Sequence, residues 1–276
     1  MKRLPLTAYS VVFFAFLYAP LFVIVGYSFN SNPVNMLIWE GFTLDWYKGL
    51  LGLGERSMDP AKTQIYIEST PQLIAALKNS LIVAFSTTLI SLALGSTIAL
   101  GLRRHFRGRA LYRAGMHLPM MMPDIVLGIA LLVFFSTIGL RLSLMTVIIG
   151  QCTFLTTVVF LVVQARLAGL DPALEEASAD LGAAGFATFR KVTLPQLAPG
   201  LIGGGLLSFI ISMDDLVITY FISGTGSQTL PVYIFGMIRR GVKPEINAIA
   251  TLIILASLVA AVLGIWLSAR LNRNVK

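Results

Sequence analysis

The sequence predicts an all-α polytopic membrane protein with six transmembrane helices. Of the 276 residues, 56 % are hydrophobic and only 12 % are charged, and the mean hydropathy is +0.81. That composition leaves too little polar material to cover a soluble globule of this length. Six apolar runs are long enough to span a bilayer: residues 9–29, 80–102, 114–138, 144–163, 200–222 and 246–268. We expect residues 1–276 to form one transmembrane domain.

The outer loop between the first two runs, residues 30–79, is the one sizeable hydrophilic segment. Aromatic residues are spread among the glycines and charges of its first half: Trp39, Phe42, Trp46 and Tyr47. Because Trp and Tyr favour the membrane–water interface, part of this loop should lie there as an aromatic belt. Residues 52–70 are expected to form an exposed insertion.

Two prolines four residues apart, Pro119 and Pro123, predict a bend or break in the third run. The depth of Asp124 depends on where the helix begins. If it begins at Ala114, Asp124 lies about ten residues in, roughly 15 Å along the axis and near mid-membrane. If it begins at Pro123, Asp124 is a first-turn carboxylate at the positive end of the helix dipole. Both alternatives are open at this point.

A polar segment, residues 171–195, separates the fourth and fifth runs. Asp171-Pro172 is a helix start, because Asp accepts from unpaired backbone N–H groups and Pro suits the first helical position. Gly182 suits the position just after a helix, where the chain leaves in a left-handed conformation. The helix should therefore end near Leu181.

A second short helix is expected over residues 186–191. Pro195 and Pro199 should then mark the entry into the fifth run. Together the two helices would form a compact helix-turn-helix exposed beside the membrane.

The spacing within this segment resembles the coupling motif of ABC-importer permeases. Glu176-Ala177-Ser178 is followed after three residues by Gly182, and after nine more by Val192, one residue and Leu194-Pro195. The family pattern has Ala in place of Ser178 and Ile in place of Val192, and both differences are conservative. The resemblance implies a type I ABC-importer permease fold. It also implies a loop that docks in a groove on an ATPase through Glu176, Ala177, Gly182, Leu194 and Pro195.

This resemblance implies a set of partners. They are a cytosolic ABC ATPase dimer, a second homologous permease subunit and an extracytoplasmic solute-binding protein. The sequence has no P-loop of the form G-x-x-x-x-G-K-[ST], so ATP and Mg would be bound by the ATPase partner and no cofactor by this chain. The two histidines, His105 and His117, form no catalytic or metal-binding pattern, so neither an enzyme nor a metal site is expected.

The basic residues predict the orientation of the chain. With a cytosolic N-terminus, 13 of the 21 Lys and Arg residues lie on the inner side and eight on the outer side, four of them in one long loop. Both termini and the segment 171–195 should thus be cytosolic, in a bacterial inner membrane. The formal charge of +8 reflects this orientation with some attraction to membrane lipid, and it gives no reason to expect nucleic-acid binding.

Three of the 13 acidic residues fall inside predicted spans: Asp124, Asp214 and Asp215. A carboxylate in a membrane is costly, so it normally faces a partner, a water-filled cavity or a permeant ion. On a helix the adjacent pair would project about 100° apart, so at most one should point into a central path. In the structural alternative, Ser212, nearby backbone or an Arg of a partner satisfies them.

Residues 122–126, 207–215 and 244–248, with Asn30-Ser31, are similar to the second permease subunit of bacterial spermidine/putrescine importers. The similarity runs along nearly the whole chain. It implies a polyamine substrate with the three Asp residues along its path. A polyamine is a flexible polycation, which separated carboxylates and aromatic faces could hold in a low-dielectric path.

Functions of other classes are also open. The chain could serve an ABC importer of another organic solute. It could instead be a self-sufficient secondary transporter or channel, in which the three Asp residues would be proton or cation sites. An intramembrane enzyme is a third alternative. Copurification with an ATPase separates the first from the others.

Overall fold

The computed structural model describes residues 3–32, 38–51, 69–238, 246–255, 258 and 259. Within these ranges the regular structure is helical apart from one isolated antiparallel bridge between Asn30 and Phe42. The helices are α1 (Arg3–Tyr27), α2 (Asp45–Leu51), α3 (Ser69–Gly101), α4 (Arg109–Met121), α5 (Asp124–Thr137), α6 (Leu144–Ala168), α7 (Ala173–Asp180), α8 (Gly185–Thr188), α9 (Leu194–Asp214), α10 (Val217–Ile222), α11 (Leu230–Ile238) and α12 (Ile246–Leu255). A π-helical turn, Phe189–Thr193, joins α8 to α9. The all-α prediction is confirmed.

Four stretches of the described chain are long and apolar enough to cross a membrane. They are Thr7–Tyr27, Pro71–Gly101, Leu144–Ala168 and Gly185–Asp214. The bent pair α4 and α5 adds a fifth if the two helices form one span. These stretches correspond to the first five predicted runs. Most of the sixth run, 246–268, lies outside the described residues.

The third predicted run is divided into two helices. The axes of α4 and α5 meet at 102°, which confirms the expected bend or break, and one span over 114–138 stays a prediction. Met122 has an extended backbone with ψ of 137°, because the following Pro123 disfavours the helical conformation of the residue before it. α5 then begins at Asp124.

The fifth predicted run differs from the structure at both ends. Gly185–Asp214 is one helical stretch of 30 residues, so the prediction of a short helix that ends before Pro195 is wrong. Pro195 is accommodated because it follows the π-helical turn, whose wider ring relieves the clash of a proline ring with the preceding turn. At the other end α9 stops at Asp214, and Asp215 has an extended backbone. Residues 200–222 are therefore two helices.

The chain divides into two compact units. One is Ala75–Tyr233, and the other combines Met1–Ile74 with Ile234–Lys276. The expectation of one domain over 1–276 stays a prediction. The segment 171–195 and all three membrane Asp residues belong to the first unit, which therefore contains the candidate functional site.

Close backbone packing holds the first unit together around α6. Small residues recur at every fourth position on the buried side of α9, which packs against α6: Gly200, Gly204, Ser208 and Ser212. On α3, a Cβ added to Gly95 would come within 2.8 Å of the carbonyl oxygen of Thr156. Lipid tails are as apolar as the side chains, so membrane helices associate through this kind of close approach.

An apolar cluster at one end of the unit joins α3, α6 and α9 next to the segment 171–195. Its buried members are Ala99, Leu102, Val159, Phe160, Val163, Leu167 and Leu197. The cluster fixes the ends of the three helices from which the polar segment and its contacts emerge.

In the second unit, the segment between α1 and α2 packs against the end of α1. Trp46 is buried and its indole N–H donates to the carbonyl oxygen of Asn30 at 2.8 Å. Trp46 is therefore a packing residue, which corrects its expected place in an interfacial belt, whereas Trp39 and Phe42 are exposed. The expected insertion over 52–70 lies almost wholly outside the described residues.

Candidate functional site

The polar segment between α6 and α9 begins with a helix, as predicted. The carboxylate of Asp171 accepts from the backbone N–H two residues on, at 3.0 Å. α7 follows, with Glu175 and Glu176 in its first turn, where negative charge meets the positive end of the helix dipole. The helix is capped by Leu181, and Gly182 has φ of 78°. Glycine adopts this left-handed conformation at low cost, so the expected end of the helix at Gly182 is confirmed.

The residues of the coupling motif lie in two places. Glu176, Ala177 and Gly182 are exposed on α7 and the turn after it. Leu194 and Pro195 are exposed in the first turn of α9. The motif thus marks both ends of one surface segment.

Large apolar side chains on this segment are exposed as well. Leu181 is 89 % exposed and Phe186 is 74 % exposed, and Leu174 is half exposed. Apolar side chains grouped on an otherwise polar surface are typical of a contact site for another protein.

Glu175, the residue before the motif, joins three elements. Arg103, two residues beyond the end of α3, donates from Nη1 to both carboxylate oxygens at 2.6 and 2.8 Å. Thr193, in the π-helical turn, donates its hydroxyl to Oε1 at 2.7 Å. One carboxylate therefore ties α7 to the end of α3 and to the start of α9.

The bonds to Glu175 keep it ionised. The hydrogen-bonded guanidinium of Arg103 lowers the pKa of the carboxyl below its ordinary value, and Thr193 acts in the same direction against partial burial. Sequence reasoning missed this residue pair. The available signal was a second acidic residue next to the motif, but its partner lies 72 residues away in the chain.

Ser178 has a contact that explains its presence where the family pattern has Ala. Its hydroxyl lies 3.0 Å from the hydroxyl of Thr188 in α8. The hydrogen bond closes the turn between α7 and α8. An alanine could not make it.

Among the three membrane carboxylates, Asp124 is the first residue of α5 and is exposed. The structure therefore selects the second of the two alternatives for this residue. Its carboxylate lies at the positive end of α5, where the helix dipole stabilises it.

Asp215 points into the unit and is fully hydrogen-bonded. Its carboxylate accepts from Nε2 of Gln151 at 3.0 Å and from the hydroxyl of Thr219 at 2.6 Å. The backbone N–H groups of Ile218 and Thr219 donate to it at 3.3 and 3.1 Å. Gln151 is itself buried, and its Oε1 accepts from the hydroxyl of Ser212. Nearby backbone satisfies Asp215, as the structural alternative expected, but its side-chain partners are Gln151 and Thr219 and not Ser212. Asp215 thus caps α10 and holds it to α6.

Asp214 points the other way and is exposed. It continues a stripe of exposed residues at four-residue intervals on α9: Ile202, Leu206 and Ile210. The stripe lies on a different side of α9 from the buried stripe of small residues. The adjacent carboxylates are thus separated, one toward α6 and one toward the unpacked surface of the unit. Sequence reasoning missed Gln151, although it is the one amide side chain in the fourth predicted run.

A known family covers this part of the chain. The family described as binding-protein-dependent transport system inner membrane component matches residues 91–276. That range includes the coupling motif and all three membrane carboxylates. The chain belongs to this family. It is a multi-pass membrane protein and a non-catalytic permease subunit of an ABC importer.

Similarity to individual relatives extends over nearly the whole permease. The spermidine/putrescine transport system permease protein PotC of Haemophilus influenzae is 34 % identical over 266 residues, covering 96 % of both chains. The putrescine transport system permease protein PotI of Escherichia coli is 36 % identical over 269 residues, covering 95 % of this permease and 89 % of the relative. The expected resemblance to polyamine-importer permeases is confirmed.

Solved structures confirm the fold. A chain of a bacterial ABC transporter involved in the import of alginate aligns with a TM-score of 0.66 at 15 % identity, covering 94 % of the permease and 93 % of that chain. A chain of the MetNI methionine ABC transporter, in an inward-facing conformation, aligns with a TM-score of 0.58 at 20 % identity, covering 76 % and 99 %. The permease therefore has the ABC-importer permease fold.

Proposed function

We propose that this permease is the transmembrane subunit of an ATP-driven importer of polyamines, of the spermidine and putrescine class. The observation that carries the proposal is 34–36 % identity along 95–96 % of the chain to two permeases named for these solutes. The permease would lie in a bacterial inner membrane with both termini in the cytosol. Its partners would be a second homologous permease, two ABC ATPase subunits and an extracytoplasmic binding protein.

In this assembly the segment 171–195 docks on an ATPase subunit, which binds ATP and Mg. The exposed Leu181 and Phe186 supply apolar contact area, and the exposed Glu176 supplies charge. Closure of the ATPase pair pushes α7, and the membrane helices rock to open the path to each side in turn. The bonds from Glu175 to Arg103 and Thr193 carry this push to α3 and α9.

The substrate path runs along the exposed stripe of α9. Asp214 lies at the end of that stripe, where its exposed carboxylate can meet a cation. Asp124 would contribute a second negative charge near the start of α5. Spaced carboxylates lower the energy of a polycation in a low-dielectric path, and a neutral solute gains nothing from them.

Uptake by the reconstituted complex tests the proposal. The permease, its partner permease, the ATPase subunits and the binding protein are placed in proteoliposomes with ATP inside. Radiolabelled spermidine, putrescine and a neutral sugar are then offered outside. We expect ATP-dependent accumulation of at least one polyamine and none of the sugar.

Two other outcomes would contradict the proposal, and each would indicate a different function. ATP-dependent accumulation of a neutral or anionic solute, with no polyamine uptake, would assign the permease to an importer of another organic solute. Uptake by the permease alone, driven by an ion gradient without ATPase subunits, would make it a secondary transporter.

A further inference from the structure

Two clefts adjoin at the loop between α3 and α4, both within the unit Ala75–Tyr233. The basic cleft has a volume of ≈ 570 Å³ and is lined by His105, Phe106, Arg107, Arg109, Ala110 and Arg113. The apolar cleft has a volume of ≈ 440 Å³ and is lined by Ile98, Gly101, Leu102, Phe106, Tyr112 and Met116. The two clefts share Phe106 as a wall.

The basic cleft contains a buried hydrogen-bond donor that lacks an acceptor. Nη1 of Arg109 lies 3.2 Å from Nδ1 of His105. Nε of Arg109 is buried, with no hydrogen-bond partner among the described residues. None of the described lining residues is acidic. A buried guanidinium donor normally has a partner, and an anionic oxygen is the strongest one available.

Arg113 is positioned toward this cleft by α6. The side-chain oxygen of Gln164 accepts from Nε and Nη2 of Arg113 at 3.1 and 3.2 Å, in the amide orientation that satisfies both groups. The guanidinium is therefore fixed before any ligand binds. A fixed guanidinium loses less conformational freedom when it binds an anion.

The apolar cleft is suited to a hydrocarbon chain. The rings of Phe106 and Tyr112 meet edge to face, with centroids 5.9 Å apart. At Gly101 a Cβ would meet nothing within 4 Å, so the cleft is open at that point. A hydrocarbon cleft beside fixed positive charges matches the two parts of an anionic lipid.

We propose that the two clefts bind one anionic phospholipid, with its phosphate in the basic cleft and an acyl chain in the apolar cleft. The proposal rests on the orientation proposed above, which places the loop between α3 and α4 at the cytosolic leaflet. A free phosphate would occupy the basic cleft alone, so the apolar cleft distinguishes the lipid. The bound lipid would anchor the first turn of α4 at the membrane surface, at the opposite end of α4 from its bend into α5.

Lipid binding to the purified complex tests this site. Native mass spectrometry would count bound phosphatidylglycerol and phosphatidylcholine during titration in detergent. We expect a preference for phosphatidylglycerol. Arg109→Gln with Arg113→Gln should weaken its binding by about fivefold for each arginine removed. Arg141→Gln is the matched control, because it removes one arginine that lines neither cleft.

A second variant tests the acyl-chain part of the site. Gly101→Leu fills the apolar cleft and keeps every charge, so it should weaken binding of phosphatidylglycerol but not of inorganic phosphate. Gly101→Leu also tests the lipid site if the double arginine variant fails to assemble. Equal binding of the two lipids, an equal effect of Arg141→Gln, or unchanged lipid binding by Gly101→Leu would each overturn the proposal. Phosphate binding that matches lipid binding in all variants would assign a free-anion site instead.

Discussion

Gln151 and Asp215 are joined by a hydrogen bond of 3.0 Å inside the first unit. The bond links the first third of α6 to the break between α9 and α10. At such a break the first backbone N–H groups of the new helix have no partner within the helix, and lipid cannot supply one. The carboxylate of Asp215 accepts two of them. Gln151 holds that carboxylate in place.

We predict that Asp215→Asn destabilises the complex. Both carboxylate oxygens accept hydrogen bonds, Oδ2 from Gln151 and Thr219 and Oδ1 from the backbone N–H of Ile218. An amide NH2 in place of either oxygen faces a donor, so at least one donor is left unpaired at a cost of about 1–3 kcal/mol. Gln151→Leu should have an effect of similar size, because it leaves Ser212 and Asp215 each without one partner. Thermal unfolding of the purified complex measures both. An unchanged unfolding temperature in both variants would show that the network adds no stability.

Asp214→Asn should instead leave the stability of the complex unchanged and reduce polyamine transport. The side chain is exposed, so the unfolding temperature should stay within error of the wild type. If Asp214 meets the substrate cation, loss of its charge removes a contact of about 1.5–3 kcal/mol, or roughly 10–150-fold in polyamine transport. Uptake kinetics in complexes of normal abundance provide the measurement. Wild-type rate and affinity in Asp214→Asn and Asp124→Asn would remove the acidic path from the mechanism.

The contrast between Asp214 and Asp215 shows what the sequence could predict and what it could not. Composition and run length predicted the membrane helices, and the motif spacing predicted the coupling loop with Gly182 at its turn. The sequence also predicted that two adjacent carboxylates diverge. It could not predict which one turns inward, because that depends on Gln151, which is 64 residues away in the chain. The ion pair of Glu175 with Arg103 was missed for the same reason.

Local rules also misplaced the fifth helix. Pro195 and Pro199 normally interrupt a helix. The π-helical turn just before Pro195 supplies the extra space that lets the helix continue through that proline, and Pro199 also lies inside α9. Nothing in the spacing of the prolines indicates such a turn. The short helix was therefore expected to end before Pro195, whereas the helical stretch continues through it to Asp214.

Breaking the pair of Glu175 and Arg103 should uncouple transport from ATP hydrolysis. Glu175→Gln and Arg103→Gln remove the ion pair but leave the exposed docking residues in place, so the ATPase should still copurify while uptake per ATP hydrolysed falls. The side chains are 30 % and 34 % exposed, and solvent screening limits the expected effect to about 1 kcal/mol, or roughly fivefold.

The swapped double variant, Glu175→Arg with Arg103→Glu, should recover part of the lost coupling. Arg104→Gln, an exposed neighbour, serves as the charge control. Because the folded-state pKa of Glu175 is lowered, the pair contributes fully above the ordinary Glu pKa and is lost as the pH falls through the lowered value. An acid-dependent loss of coupling that persists in Glu175→Gln would assign the effect to another group.

Gly182→Val should impair coupling because it strains the backbone of the turn after α7. A β-branched residue is strained at φ of 78°, at a cost of about 1 kcal/mol or more, and the turn that presents the docking surface would shift. The matched control is Gly185→Val, since a Cβ at either glycine meets nothing within 4 Å and only Gly182 has positive φ. ATPase stimulation and uptake should fall in the first variant and not in the second. Equal uptake in both would mean that the turn does not depend on the left-handed conformation.

The orientation can be tested by labelling single cysteines. In a Cys152→Ala background, Ala184→Cys places a thiol at an exposed position of the coupling segment, and Arg141→Cys places one in the exposed loop between α5 and α6. The 13-to-8 distribution of basic residues predicts that a membrane-impermeant maleimide labels the first only from the cytosolic side and the second only from outside. Intact cells expose the outer side to the reagent, and inside-out vesicles expose the cytosolic side. Detergent-solubilised protein shows that both thiols can react. The reverse pattern would place the coupling segment outside the cell, where no cytosolic ATPase could reach it.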